Sequence, residues 1–151
     1  MKPLNTNVEE VLRKAIQEQV ATREYYLKLA ESVTSAEAKA RLRKLADEQL
    51  LHRARLERRY TESVGVSPPP PEPVKVELPA DLSELDLGHV LKLALEHERE
   101  SESNYRFLAE RVPGTDLGSL FLELAELEWN HKVKIQAEYD MLSPERFLWD
   151  I

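Results

Sequence analysis

The sequence has no cysteine, and that one absence removes several chemistries. Without thiols there are no disulfide staples, no thiol nucleophile, no iron–sulfur ligation and no all-thiolate iron or zinc site. Any metal must be held by Glu, Asp or His. Glycine is scarce at 4 residues and aromatics make up only 7%, a balance that disfavours turn-rich β structure. Positive charge is in deficit: 21 Lys and Arg against 28 Asp and Glu give a formal net charge of -7. No basic stripe dominates, so nucleic acid is not an expected partner. No apolar run reaches the length of a membrane span, and residues 1–7 lack the basic patch and apolar core of an export signal. A cytoplasmic protein without membrane contact is expected.

What the chain does have is 42% hydrophobic and 32% charged residues over 151 positions. That length and balance predict one all-α domain spanning 1–151, built from long amphipathic helices. The first helix is expected over about 8–33, opened by Thr6 and Asn7 with Glu9 and Glu10 three residues on, as in a capping box. Thr34 with Glu37 opens a second helix to about residue 63, closed by Gly65. Six of the 9 prolines lie between 66 and 86. Proline lacks the amide donor and clashes with the preceding helical turn, so this stretch reads as an extended connector. A third helix over about 87–112 is broken by Pro113 and Gly114, and a fourth over about 116–142 is stopped by Ser143 and Pro144, leaving the tail 143–151. Short connections make the first and last helix pairs antiparallel. The connector, at about 3.1 Å per residue, is long enough to cross the full length of a bundle, which is the single-crossover connectivity of a ferritin-like four-helix bundle.

The two halves, about 8–63 and 87–142, superpose without a gap at a constant offset of 79 positions. Along the first and third helices the seam pairs Leu12 with Leu91, Ala15 with Ala94, Gln19 with Glu98, Thr22 with Ser101, Tyr26 with Tyr105, Leu29 with Leu108 and Val33 with Val112. Along the second and fourth it pairs Leu42 with Phe121, Leu45 with Leu124, Gln49 with Glu128, His52 with His131, Leu56 with Ile135 and Tyr60 with Tyr139. Steps of three and four residues put these side chains on one helical stripe. Only the middle of each stripe is polar. Gln19, Gln49, His52, Glu98, Glu128 and His131 are therefore expected to meet at one level of the core. Unpaired buried carboxylates are costly, and no lysine or arginine of the seam supplies a counter-charge, so a cation is the simplest resolution.

Glu128-Trp129-Asn130-His131 is a Glu-x-x-His motif, whose i and i+3 side chains can share one metal. With Glu98 at the matching level, Tyr105 and Leu108-Ala109 after it, and Leu124-Ala125 one turn before the motif, the chain resembles the rubrerythrin-like branch of the ferritin-like superfamily. The resemblance covers both helix pairs, leaving out the connector and the tail. It implies a dimetal site with a Glu and a Glu-x-x-His from each half, peroxide or dioxygen reduction at iron, and a homodimer. Glu98, Glu128 and His131 match the pattern. In the other half only His52 does, because Gln19 and Gln49 stand where carboxylates are implied. Two Glu balance one divalent ion rather than two, and a mixed imidazole and carboxylate set admits iron, zinc or manganese. Glu18 and Glu48, next to the two glutamines, are alternative carboxylates, although Glu48 lies on an edge with Arg41, Lys44 and Arg55.

Tyr26 and Tyr105 are expected as core aromatics able to support a ligand carboxylate, and His89 and His97 as surface or edge residues. The tail residues Phe147, Leu148 and Trp149 could cover the bundle end, a second subunit or a client. The chain lacks a thiolate-ligated iron domain, so an oxidase or peroxidase would need an external electron donor. The competing readings are a binding module with one metal or none, and a structural bundle whose polar centre is a satisfied hydrogen-bond network.

Overall fold

The computed structural model describes residues 8–78, 82 and 84–142. It contains four helices in order, α1 (Val8–Ser32), α2 (Ala36–Val64), α3 (Leu87–Arg111) and α4 (Asp116–Leu142), and no strand among the described residues. The all-α expectation holds. The capping residues Thr6 and Asn7, the stop at Ser143 and Pro144, and the tail 143–151 lie outside the described residues. The chain divides into two compact units, one covering residues 7–87 and the other beginning at Gly88.

In the first unit α1 and α2 run antiparallel. Glu9 near the start of α1 accepts a hydrogen bond from Tyr60 near the end of α2 at 3.0 Å, while Lys39 at the start of α2 donates to the Ala30 carbonyl at 3.0 Å. Between them Arg23 donates to the Ala46 carbonyl at 3.1 Å and lies 3.6 Å from Asp47. The buried stripe contains Leu12, Ala15, Tyr26 and Leu29 of α1 and Leu42, Leu45, Leu56 and Tyr60 of α2. One boundary differs from the expectation. The N-cap of α2 is Ser35, not Thr34: its backbone is extended and its hydroxyl accepts from the Ala38 amide at 3.2 Å. The cap is set by which hydroxyl reaches an orphan amide three residues on. Gly65 closes α2 as expected, at φ 89 with its amide on the Thr61 carbonyl. That left-handed conformation favours glycine.

The proline segment then follows α1. The Gln17 amide group both donates to the Glu72 carbonyl and accepts from the Glu72 amide, each at 2.9 Å, and Lys28 donates to the Val76 carbonyl at 3.2 Å. Residues 72 to 76 advance in the direction in which α1 advances from Gln17 to Lys28. A backbone without helical or sheet partners is thereby held by side chains of the helix it crosses.

In the second unit α3 and α4 also run antiparallel, joined by Val112 to Thr115. Gly114 has φ 72. The Thr115 hydroxyl donates to the Val112 carbonyl at 2.6 Å and accepts from the Gly118 amide at 3.0 Å, so one residue closes α3 and caps α4. Leu91, Ala94, Leu95 and Tyr105 of α3 and Leu117, Leu120, Phe121, Leu124 and Ile135 of α4 are buried, with the Tyr105 and Phe121 rings stacked at 6.5 Å. The expected stripe is off at four places here, one of them Leu108, half-buried where Leu29 is fully buried. Val112 and Tyr139 are half-buried, unlike Val33 and Tyr60, and Ser101 is half-buried while Glu102 beside it is buried. Glu102 stands one turn after Glu98 and enters the interior with its own cations, which a seam of apolar spacings does not reveal.

Candidate metal site

Glu98 sits at the middle of α3, and Glu128 and His131 sit three residues apart on α4, so one carboxylate faces a carboxylate and an imidazole across the helix pair. Each offers one ligand atom such that all three atoms lie within 4.8 Å of one another, and all three residues are buried. Glu98 is 1% exposed, with His131 Nδ1 2.9 Å from its Oε1. Apolar side chains flank the cluster: Ala94 and Leu95 before Glu98 on α3, and Leu124, Ala125 and Ile135 on both sides of the motif on α4.

Burial alone pushes the Glu98 carboxyl up, but hydrogen bonds with His131 and Glu128, together with the charges of His131 and His97, carry it below its ordinary value. The pocket thus favours an anion at Glu98. Its second oxygen, Oε2, is buried with no hydrogen-bond partner among the described residues. A buried lone carboxylate oxygen costs free energy unless something positive meets it. Two carboxylates and an imidazole within this span suit one divalent ion, whose charge the two carboxylates balance. The donor set therefore fits a single metal.

Two cations of these helices are engaged by other carboxylates. Lys132 donates to Glu102 Oε1 at 2.8 Å, and Arg106 donates to Glu102 Oε2 at 2.8 Å while approaching Glu126 at 3.7 Å. Arg99 is exposed. Lys132 adjoins His131 in sequence yet serves Glu102. The sequence signal that could have found Glu102 is its place four residues after Glu98, on the same face.

Of the six expected site residues, Glu98, Glu128 and His131 are brought together. Gln19 on α1 and Gln49 on α2 are buried, with Gln19 Oε1 and Gln49 Nε2 lacking hydrogen-bond partners among the described residues. His52 is half-buried on α2. The alternative carboxylates are placed elsewhere, Glu18 exposed and Glu48 half-buried at 3.8 Å from Arg41. Tyr26 is fully buried, His89 is exposed and His97 half-buried.

No family model matches the sequence, and no curated protein matches it. A solved structure of a hypothetical protein from Pyrococcus furiosus is similar, at 29% identity over 89% of this chain and 89% of that one, with a TM-score of 0.55.

Proposed function

We propose that this chain is a metal-binding helical protein that holds one divalent cation through Glu98, Glu128 and His131. The single observation that carries this reading is the buried cluster itself, three ligand atoms within 4.8 Å in an apolar setting. Ferritin-like connectivity, kinship with the rubrerythrin-like proteins and work in iron or oxidative-stress handling belong to the same proposal, resting on the Glu-x-x-His motif and the matched seams. Iron, zinc and manganese all accept this donor mixture. Bound iron would supply electrons for peroxide or dioxygen reduction, and an external donor would have to replace them. The protein's own contribution is to hold two carboxylates and an imidazole together in a buried cluster.

A second reading has its own observation. His131 Nδ1 lies 2.9 Å from Glu98 Oε1 and Glu98 also bonds to Glu128, a network that could serve a purely structural or protein-interaction bundle. Thermal melting separates the two. A ligand that binds only the folded state raises the melting temperature by mass action. Fe(II), Zn(II) or Mn(II) should raise it in the native protein and leave Glu128→Ala unmoved. Equal shifts in both proteins, or none in either, would favour the structural reading.

A further inference from the structure

α2 departs in charge from the chain that contains it. It carries eight Lys and Arg against five Asp and Glu, a net of +3, while the whole chain stands at -7. Between Arg41 and Tyr60 each of its acids is met by a cation of this chain: Asp47 lies 3.6 Å from Arg23, Glu48 3.8 Å from Arg41 and Glu57 3.4 Å from Arg53. Arg43, Lys44, Arg55 and Arg58 are exposed, and none of them has a hydrogen bond or ion pair among the described residues. The outer side of the helix is thus left with surplus positive charge. Those cations stand in register with exposed leucines. Lys44, Leu51 and Arg58 recur every seven residues, with Arg55 four after Leu51, and Arg43, Leu50 and Ala54 form the row beside them. Leu51 is 67% and Leu50 42% exposed, although the same helix already buries Leu45 and Leu56 on its inner side. From Lys44 to Arg58 the face therefore runs basic, apolar, basic over about 21 Å.

We infer that this face docks an acidic amphipathic helix of another protein, its apolar residues on Leu50 and Leu51 and its carboxylates on the cation pairs at either end. Charge complementarity names the occupant. The phosphates of a nucleic acid duplex would engage the cations but offer the leucines no apolar surface. A bilayer surface calls for a broader apolar face than two leucines and an alanine. A helix with carboxylates at both ends of an apolar centre meets every part of the pattern. The attraction is between exposed charges, so it weakens with salt, which screens them over about 10 Å at 0.1 M. It is also independent of the metal cluster, whose residues belong to α3 and α4.

Fluorescence anisotropy tests this with a labelled, stapled synthetic helix of about 20 residues, leucines in its middle turns and glutamates in its end turns. The native full chain should bind it saturably below about 100 μM at low salt. Lys44→Glu combined with Arg58→Glu should weaken binding by about tenfold or more, and Leu51→Ser by about threefold or more. Helicity should be unchanged in both variants, because all three side chains are exposed. A synthetic helix of the same composition with its leucines moved to the ends should bind less tightly than the first. The absence of saturable binding to the native chain overturns the proposal, and so does binding that the charge reversal or Leu51→Ser leaves unchanged. Tighter binding of duplex DNA or of phosphatidylserine vesicles than of the synthetic helix overturns it too, as does self-association in sedimentation that Leu51→Ser abolishes, since each gives the face a different occupant.

Discussion

Glu102 brings a charge into the apolar side of α3 and is met there by Lys132 and Arg106, each at 2.8 Å. Burial pushes its carboxyl up, yet the hydrogen bonds and charges of those two cations outweigh burial and hold it below the ordinary 4.5. A carboxyl depressed in the folded state contributes stability that is fully present above the unfolded value and is lost as pH falls through the folded one. Glu102→Gln should therefore cost about 1 kcal/mol near neutrality, the size expected of an ion pair partly screened by solvent. The cost should fade in acid. Urea unfolding at a series of pH values checks this, and an offset constant from neutral to strongly acidic pH would mean that the ion pairs are not its source. Gly118 makes a second prediction at this scale. A Cβ there would press into the Val112 backbone carbonyl, which has little room to yield because Thr115 already ties it to the turn. Gly118→Ala should destabilise by about 1–3 kcal/mol as an overpacking change, whereas an alanine that is neutral or stabilising in denaturant would show that the turn gives way freely.

Among elements, the proline segment has the least regular support and depends on α1 for it. Gln17 satisfies both the amide and the carbonyl of Glu72, so Gln17→Ala should speed hydrogen exchange at the Glu72 amide while leaving the amides of α1 protected. Unchanged exchange at Glu72 would show that the prolines alone fix the segment. Helix ends show how much was legible in advance. Gly65 was readable because a left-handed residue at a helix end favours glycine, and the Pro113-Gly114 break was readable for kindred reasons. Ser35 was not, because Thr34 and Ser35 are adjacent hydroxyls and only the chain path decides which one reaches an amide. The buried stripe was readable wherever its members were apolar. It failed at Glu102, since spacing from Glu98 puts that carboxylate on the inner face but its partners Lys132 and Arg106 are disclosed only in space.

At the scale of the molecule, the two helix pairs put different chemistry at equivalent positions. α3 and α4 bring Glu98, Glu128 and His131 into one buried cluster, and the corresponding residues of α1 and α2 are two buried amides and a half-buried histidine. The triad was legible because helical periodicity fixes which residues of a helix share a face, and because a Glu-x-x-His pair needs only one helix to form. The engagement of Lys132 by Glu102, at 2.8 Å, was not. The most direct test is the metal content of the full chain purified without a histidine tag and loaded with Fe(II), Zn(II) or Mn(II) in turn. About one divalent ion per chain, lost in both Glu128→Ala and His131→Ala, is the expected result for a buried three-ligand site. Protein that takes up no ion, or that keeps its ion in both variants, would contradict the assignment.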